Sequence, residues 1–334
     1  MIKSTPSFAI LLEGFFTQRL IKQRCVSPHT IKSYRDTFRL LLHFVKEHLK
    51  KEPSKLDLSE IDAPLIAKFL QSMEKDRNIS ARSRNLRLTA IRSFFRYAAL
   101  EAPANSAQIQ RVLAMPSKRF SRPLLCYLTH EEIKAFLAAS DLETWKGRRD
   151  HALCLVAVHT GLRLSELIAA RIKDVILDTG SHIRVVGKGR KERCTPLTKQ
   201  TTAILKSWMR ELLARGDTQV LFPNTHGTEL SADAVQYIIA KLAAKAGKTC
   251  PSLVSKRVTP HVLRHTAAME LLQAGADISM IALWLGHESI ETTQIYLHAN
   301  FALKEQILAK TSMPQGQQQR YRADDRLLDF LASL

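Results

Sequence analysis

Apolar residues recur at every third or fourth position through the first third of the chain, which is the spacing of amphipathic helices. Ser27 followed by Pro28 is typical of an N-cap with proline in the first helical turn. A second apolar stripe runs over 65–73, and Ser80 is placed to cap a third helix whose apolar set includes Leu86. The pattern predicts an all-helical first region.

The remainder is predicted to be helical with a single β-hairpin. Thr129 and Glu132 have the spacing of a capping box, and an apolar helix over 149–159 ends at Gly161. The alternation over 182–197, interrupted by a glycine-rich turn, predicts the hairpin. Further helices are predicted at about 162–170, 199–214, 231–246, 260–274, 277–285 and 290–299.

The prolines and basic residues of 103–122 mark the expected domain boundary. We therefore expect a linker over 103–122 between a helical domain and a mixed α/β domain. The segment 311–334 reads as a polar spacer followed by an amphipathic tail.

Composition excludes several classes of protein. With 334 residues and 45% hydrophobic content the chain is long and apolar enough for a globular core. No apolar run approaches the roughly 20 residues of a membrane span, and the start lacks a signal-peptide cleavage site. The five cysteines form no CxxC pair, so the expected compartment is the reducing cytoplasm.

The net charge of +19 favours a polyanionic partner, because Lys and Arg on a surface release the counterions of nucleic-acid phosphates. The third predicted helix has few acidic residues and is rich in arginine. A solvated helix face would have the same composition, but we expect contact with double-stranded DNA. The arginines concerned are Arg82, Arg84, Arg87, Arg92 and Arg96.

Two segments place basic residues beside glycine turns. In TGLRLSEL (160–167), Arg163 and Glu166 lie three apart, so a carboxylate can hold a guanidinium in place. In GKGRK (187–191), two glycines leave Lys188 on a flexible hairpin tip. Taken alone, the first segment is more typical of an ordinary surface ion pair, and the second of a solvent-exposed basic turn, than of an active site.

The third segment, TPHVLRHT (259–266), predicts a helix that begins at Pro260 with His261 and Arg264 on one face. Unpaired backbone N–H groups and the helix dipole favour an anion there. His261 and His265 have the spacing of a zinc pair, but no general-base Glu or third ligand accompanies them, so we reject a metal site.

The fourth segment, IALWLGHESIETTQIYLH (281–298), places His287 after the helix-ending Gly286, with Tyr296 in the next helix. Taken together, TGLRLSEL, GKGRKER, HVLRH and LGH…Y resemble the active-site signature of the tyrosine recombinases, also called the phage integrase family. The resemblance spans nearly the whole chain, and its nearest types are Xer-like, integron-like and transposon-borne recombinases. Its site positions are filled by Arg163, Lys188, His261, Arg264, His287 and Tyr296.

The resemblance implies a mainly α fold in which a helical DNA-clamping domain, over 8–102, and a mixed α/β catalytic domain, over 123–310, form a C-shaped clamp on DNA. It also implies that Tyr296 attacks the DNA phosphate to give a 3′-phosphotyrosyl intermediate, without metal, ATP or other cofactor. Lys188 would then be the general acid, the two arginines and two histidines would stabilise the transition state, and Glu166 would orient the site.

A tetramer of this chain, or of this chain with a related recombinase, is expected on two DNA sites. Integration or excision of a mobile element is the expected role, and Xer-type resolution of chromosome or plasmid dimers is the main alternative. A type IB topoisomerase or a helix-turn-helix protein without catalytic activity remains a further alternative, because 269–298 can imitate the latter motif.

Overall fold

The computed structural model describes residues 7–121, 125–187, 192–216, 219–287 and 289–299. The chain divides into two units, one ending at Pro123 and the other beginning at Leu124. Within the described residues no helix is long and apolar enough to cross a membrane. The predicted spacer and tail over 311–334 lie outside the described residues.

The first unit is entirely helical in its described part. Ser27 and Ser80 cap two of its helices, as predicted, each accepting a hydrogen bond from the backbone N–H three residues on. A π-helical segment, Phe15–Gln23, continues directly from the first helix. The α-helices are α1 (Phe8–Gly14), α2 (Pro28–Leu49), α3 (Ala63–Asp76), α4 (Ala81–Glu101) and α5 (Ser106–Ala114).

Aromatic side chains form the centre of this unit's core. Phe94 of α4 packs edge-on against Phe8, Phe15 and Phe38, with ring centroids 5.3–5.7 Å apart. The prediction for Leu86 was wrong, because this side chain is 61% exposed. It lies on the outer side of α4, away from the face that carries the phenylalanines.

Part of the predicted linker belongs to the first unit. Ile109 and Val112 lie three apart on α5 and are both fully buried in its core. The segment that follows is held against α4, where Arg84 donates to the Pro116 carbonyl and Asn85 exchanges two hydrogen bonds with the Lys118 backbone. The two prolines that flank α5 gave it the appearance of a linker, although its own apolar spacing is helical.

The second unit packs eight helices and three strands in its described part. Thr129 and Glu132 form the predicted capping box at the start of α6. The helices are α6 (His130–Ala138), α7 (Trp145–Thr160), α8 (Leu164–Ala169), α9 (Lys199–Arg215), α10 (Ala232–Ala246), α11 (Pro260–Gln273), α12 (Ile278–Leu285) and α13 (Glu291–Ala299). The strands are β1 (Val175–Ile176), β2 (His182–Val186) and β3 (Glu192–Pro196).

The strands form one antiparallel sheet in the order β1-β2-β3. The hairpin of β2 and β3 is confirmed, with Arg184 opposite Cys194, whereas β1 is too short to have left an alternating pattern. Ile183 and Val185 point into the core, so the opposite face of β2 carries exposed Arg184. The sheet therefore covers the helical core with one face only.

Helix α7 lies at the centre of this core and is buried on nearly all sides. It ends at Gly161 in the left-handed conformation, with φ +63°. A Cβ there would lie 2.6 Å from the Leu285 side chain and 3.1 Å from Ala267. Glycine therefore lets the end of α7 approach both α11 and α12 closely.

Candidate active site

Three arginines from different parts of the second unit meet at the C-terminal end of α12. The last carbonyls of a helix lack partners within the helix and carry the negative end of its dipole, so they favour cations. The bonds run from Arg193 Nε to Trp284 O (3.1 Å), from Arg264 Nη2 to Leu285 O (2.7 Å) and from Arg163 Nη2 to Gly286 O (2.6 Å).

Arg264 is the most deeply placed of the three. It projects from α11, is 5% exposed, and also donates to the Gly161 carbonyl at 2.6 Å. Burial, and then the nearby charge of Arg163, lowers the pKa of Arg264 to about 10. The guanidinium therefore remains charged at neutral pH, held between the ends of α7 and α12.

Glu166 joins two of the arginines. Its side chain accepts from the Arg163 backbone N–H (2.8 Å) and from Arg163 Nη1 (2.9 Å). Arg193 approaches it bidentately, with Nη1 at 3.0 Å from Oε1 and Nη2 at 2.7 Å from Oε2. Burial opposes the charge, but the hydrogen bonds from Arg193 and Arg163 prevail and lower the pKa of Glu166 to about 2.

Tyr296 lies on α13 and is only 1% exposed. Its hydroxyl shares a hydrogen bond of 3.0 Å with Nδ1 of His265, and its ring stacks on that of His287 with centroids 6.4 Å apart. Burial raises the pKa of Tyr296 to about 12, although the nearby Arg264 acts in the opposite direction. The phenol is therefore neutral at physiological pH in this arrangement.

The histidines near Tyr296 are also neutral. Burial, followed by neighbouring cationic groups, lowers the pKa of both His265 and His287 to about 4. His287 Nδ1 is 2.7 Å from the hydroxyl oxygen of Thr293, which links the end of α12 to α13. His261 is instead exposed on the first turn of α11.

The structure thus brings Arg163, Glu166, Arg264, His287 and Tyr296 together around one helix end. Among the other predicted residues, His261 lies at the surface, and Lys188 lies outside the described residues.

The sequence interpretation missed Arg193 and His265. Alternation along β3 puts Arg193 on the same face as the buried Thr195, and this was the available signal. His265 was considered only as a metal ligand, although it directly follows Arg264.

No group of three or more His, Cys, Asp or Glu in the described ranges could hold a metal ion. His265 instead contacts the Tyr296 hydroxyl, whereas His261, one turn earlier on α11, is exposed to solvent. The five cysteines are free thiols.

The five predicted DNA-binding arginines of α4 fall into three groups by exposure. Arg84 is 9% exposed and bonds to the Pro116 carbonyl, so it serves the fold of the first unit. Arg82 and Arg96 are exposed, and Arg87 and Arg92 are half-buried. Among the described atoms, the Nε groups of Arg84, Arg87 and Arg92 are buried without a hydrogen-bond partner.

Comparison with known proteins gives consistent matches for both units. Residues 126–302 match the Phage integrase family, and residues 14–102 match the Phage integrase N-terminal SAM-like domain. A Sinorhizobium fredii protein named as an integrase/recombinase, y4rC, is 61% identical over 328 residues, which cover 98% of each chain. The tyrosine recombinase XerD of Staphylococcus aureus is 34% identical over 282 residues, covering 83% of this chain and 90% of XerD.

Solved structures show the same fold. The Tn1549 transposon integrase in complex with transposon right end DNA has a TM-score of 0.66 at 17% identity, covering 89% of this chain and 98% of that one. The XerH recombinase bound to palindromic difH substrate has a TM-score of 0.64 at 24% identity, covering 82% and 78%.

Proposed function

Because the chain belongs to the Phage integrase family of tyrosine recombinases, which cleave and rejoin DNA strands in site-specific recombination, we propose that Tyr296 is its nucleophile. The observation that carries the proposal is the convergence of Arg163, Arg264 and Tyr296 at the C-terminal end of α12. Two guanidinium groups beside a tyrosine hydroxyl suit a reaction in which a phenolate attacks an anionic phosphodiester.

In the proposed step, the Tyr296 oxygen forms a bond to phosphorus while the bond from phosphorus to the 5′-oxygen breaks. The tyrosine proton is released, and the departing 5′-oxygen takes up a proton and becomes a hydroxyl. The product is a 3′-phosphotyrosyl enzyme. Attack by the 5′-hydroxyl of a partner strand reverses these changes and joins the two DNAs, so the bond energy is conserved in the covalent link.

Arg163 and Arg264 are assigned to the non-bridging oxygens, where charge increases in the transition state. Arg163 bonds through Nη2 to the Gly286 carbonyl, and Arg264 bonds through its two Nη groups to the Gly161 and Leu285 carbonyls, so both side chains are oriented before substrate arrives. His287, and the exposed His261, are assigned as further donors. Lys188 is the proposed general acid for the 5′-oxygen, supported by its position in the family motif.

Tyr296 needs a rearrangement before it reacts. Burial raises the pKa of Tyr296 and lowers the pKa of His265, so within this pair the proton stays on the phenol oxygen and His265 does not act as its base. A side chain that is 1% exposed is also out of reach of a duplex phosphate. The contact with His265 therefore holds the hydroxyl protonated, and we propose that α13 shifts when DNA is engaged.

The first unit is proposed to bind double-stranded DNA along α4. Burial, and then the charge of Arg77, lowers the pKa of Arg87, and burial with neighbouring Arg96 and Arg84 does the same for Arg92. Cations that are crowded and partly desolvated gain from an approaching phosphate. The remaining contacts are assigned to the exposed Arg82 and Arg96.

We further propose that a tetramer of this chain, or of this chain with a related recombinase, acts on two paired DNA sites to integrate or excise a mobile element. The name of the relative y4rC, an integrase/recombinase, is consistent with this role, and the match to the tyrosine recombinase XerD keeps Xer-type dimer resolution as the alternative. Lambda integrase, which shares the fold, has been solved as a tetramer bound to a Holliday junction. Cross-linking on paired sites measures the number of subunits.

The nucleophile is tested by trapping. The DNA site is found first, by footprinting the protein on DNA that flanks its own coding region. The trapping substrate is this duplex with a nick beside the cleavage position, so that the short fragment released by cleavage diffuses away and the reaction cannot reverse. Wild-type protein is expected to give a covalent adduct on a denaturing gel. Tyr296→Phe is expected to bind this duplex equally well and to give no adduct, because it lacks the attacking oxygen.

The matched control is Tyr237→Phe, which removes the hydroxyl of a 69% exposed tyrosine on α10 and is expected to leave the adduct unchanged. An adduct that persists in Tyr296→Phe would remove Tyr296 from its role. Relaxation of supercoils without joining of two different duplexes would identify a topoisomerase instead. Binding without any adduct in the wild type would favour a helix-turn-helix protein.

A further inference from the structure

Arg193 of β3 bonds to the protein through all three nitrogens of its guanidinium group. Its side chain is 10% exposed. Nη1 and Nη2 bond to the two oxygens of Glu166, and Nε bonds to the Trp284 carbonyl. A Cβ on Gly286 would lie 2.9 Å from Nη1, so glycine at this position lets the guanidinium pack directly against the end of α12.

We propose that Arg193 is a positioning residue for strand cleavage, which acts through Glu166 and the end of α12 to orient Arg163. The inference rests on the proposed role of Arg163 at the scissile phosphate. Among these three arginines, Arg163 has the most accessible side chain, at 30% exposed, and is therefore the one best able to reach substrate.

The geometry explains why the third arginine matters. Glu166 has two oxygens, and Arg193 occupies both of them while Arg163 contributes one Nη. Without Arg193, the carboxylate is free to take both Nη groups of Arg163 in the bidentate geometry that arginine and carboxylate prefer. Arg163 would then release the Gly286 carbonyl and turn its charge toward Glu166 instead of the phosphate.

Arg193 also holds the C-terminal end of α12, to which Arg264 and Arg163 are hydrogen-bonded. Its bond to Trp284 O is the first of the three successive carbonyl contacts at the end of α12. Because Arg264 and Arg163 bond to the next two carbonyls, a displaced helix end moves both of them. Lysine would restore only part of this arrangement, since a single ammonium keeps the charge opposite Glu166 but lacks the planar fork that spans Glu166 and Trp284 together.

The experiment measures single-turnover adduct formation on the nicked duplex for Arg193→Met and Arg193→Lys. We expect Arg193→Met to reduce the cleavage rate about 100-fold and Arg193→Lys to give a smaller loss, with duplex affinity unchanged within about threefold. The matched control is Arg184→Met, an exposed arginine of the same sheet that faces Asp174 at 3.5 Å and is expected to keep the wild-type rate.

A second substrate separates positioning from general loosening of the fold. In a methylphosphonate linkage a neutral methyl group replaces one non-bridging oxygen, so less negative charge has to be stabilised in the transition state. Displacement of Arg163 should therefore reduce the cleavage rate less on this substrate than on the phosphodiester. We expect the loss in Arg193→Met to fall from about 100-fold to below about 10-fold on this substrate.

Equal losses on both substrates, or a rate equal to that of Arg184→Met, would overturn the inference. Arg193→Lys provides the same comparison if Arg193→Met does not fold. Failure of the proposed function is distinguishable, because the wild-type protein would then give no adduct on either substrate.

Discussion

Replacement of Glu166 by glutamine tests the charge network that supports the site. The side chain is 4% exposed and accepts hydrogen bonds from Arg163 and Arg193, so its charge is compensated within the protein. Relative to the usual pKa of 4.5, the pKa of about 2 corresponds to a stabilisation of about 3 kcal/mol at neutral pH. Glu166→Gln keeps the shape, removes the charge and leaves two guanidinium groups facing an amide.

We expect Glu166→Gln to lower the free energy of unfolding of the second unit by about 3 kcal/mol at pH 7. The assay is urea unfolding followed by tryptophan fluorescence. All three tryptophans of the chain, Trp145, Trp208 and Trp284, belong to the second unit, so the signal reports that unit alone.

The stabilisation contributed by Glu166 should depend on pH in a definite direction. Because folding depresses the pKa of Glu166, the wild type holds this stabilisation above pH 4.5 and loses it as the pH falls toward 2. The difference between wild type and Glu166→Gln should therefore be constant from pH 7 to about 5 and smaller by about 2 kcal/mol at pH 3. A difference below about 1 kcal/mol at pH 7, or one that does not change with pH, would refute the reasoning.

Two further substitutions test the packing of the site and the DNA contact. Gly161→Ala should lower the melting temperature of the second unit much more than Gly180→Ala, because both positions have positive φ but only Gly161 would bring a Cβ against Leu285; equal losses would show that the close approach is unimportant. Arg87→Gln should weaken duplex binding and reduce the slope of log affinity against log salt concentration by about 0.9. The control Arg111→Gln, on α5, should leave both the affinity and the slope unchanged. Identical slopes for the two variants would show that Arg87 does not contact the DNA.

Much of the fold could be predicted because its signals are local. Ser27 and Ser80 cap helices by bonding to backbone groups three residues on, and the capping box of Thr129 and Glu132 depends on equally short spacing. Errors arose where local signals were weak or misleading. The prolines around α5 concealed a helix that only its burial in the first unit makes evident.

The sequence by itself determined which chemical groups the protein has and the order in which they occur. Four site residues could be identified because each lies in a short motif that is recognisable from its residue order and spacing alone: Arg163, Arg264, His287 and Tyr296. Tertiary structure alone decided which of them touch. Arg193 and Glu166 are 27 residues apart, and Arg264 meets the Gly161 carbonyl across 103 residues. Partners so distant leave no periodic pattern, because their contact depends on how helices pack and not on the chain between them.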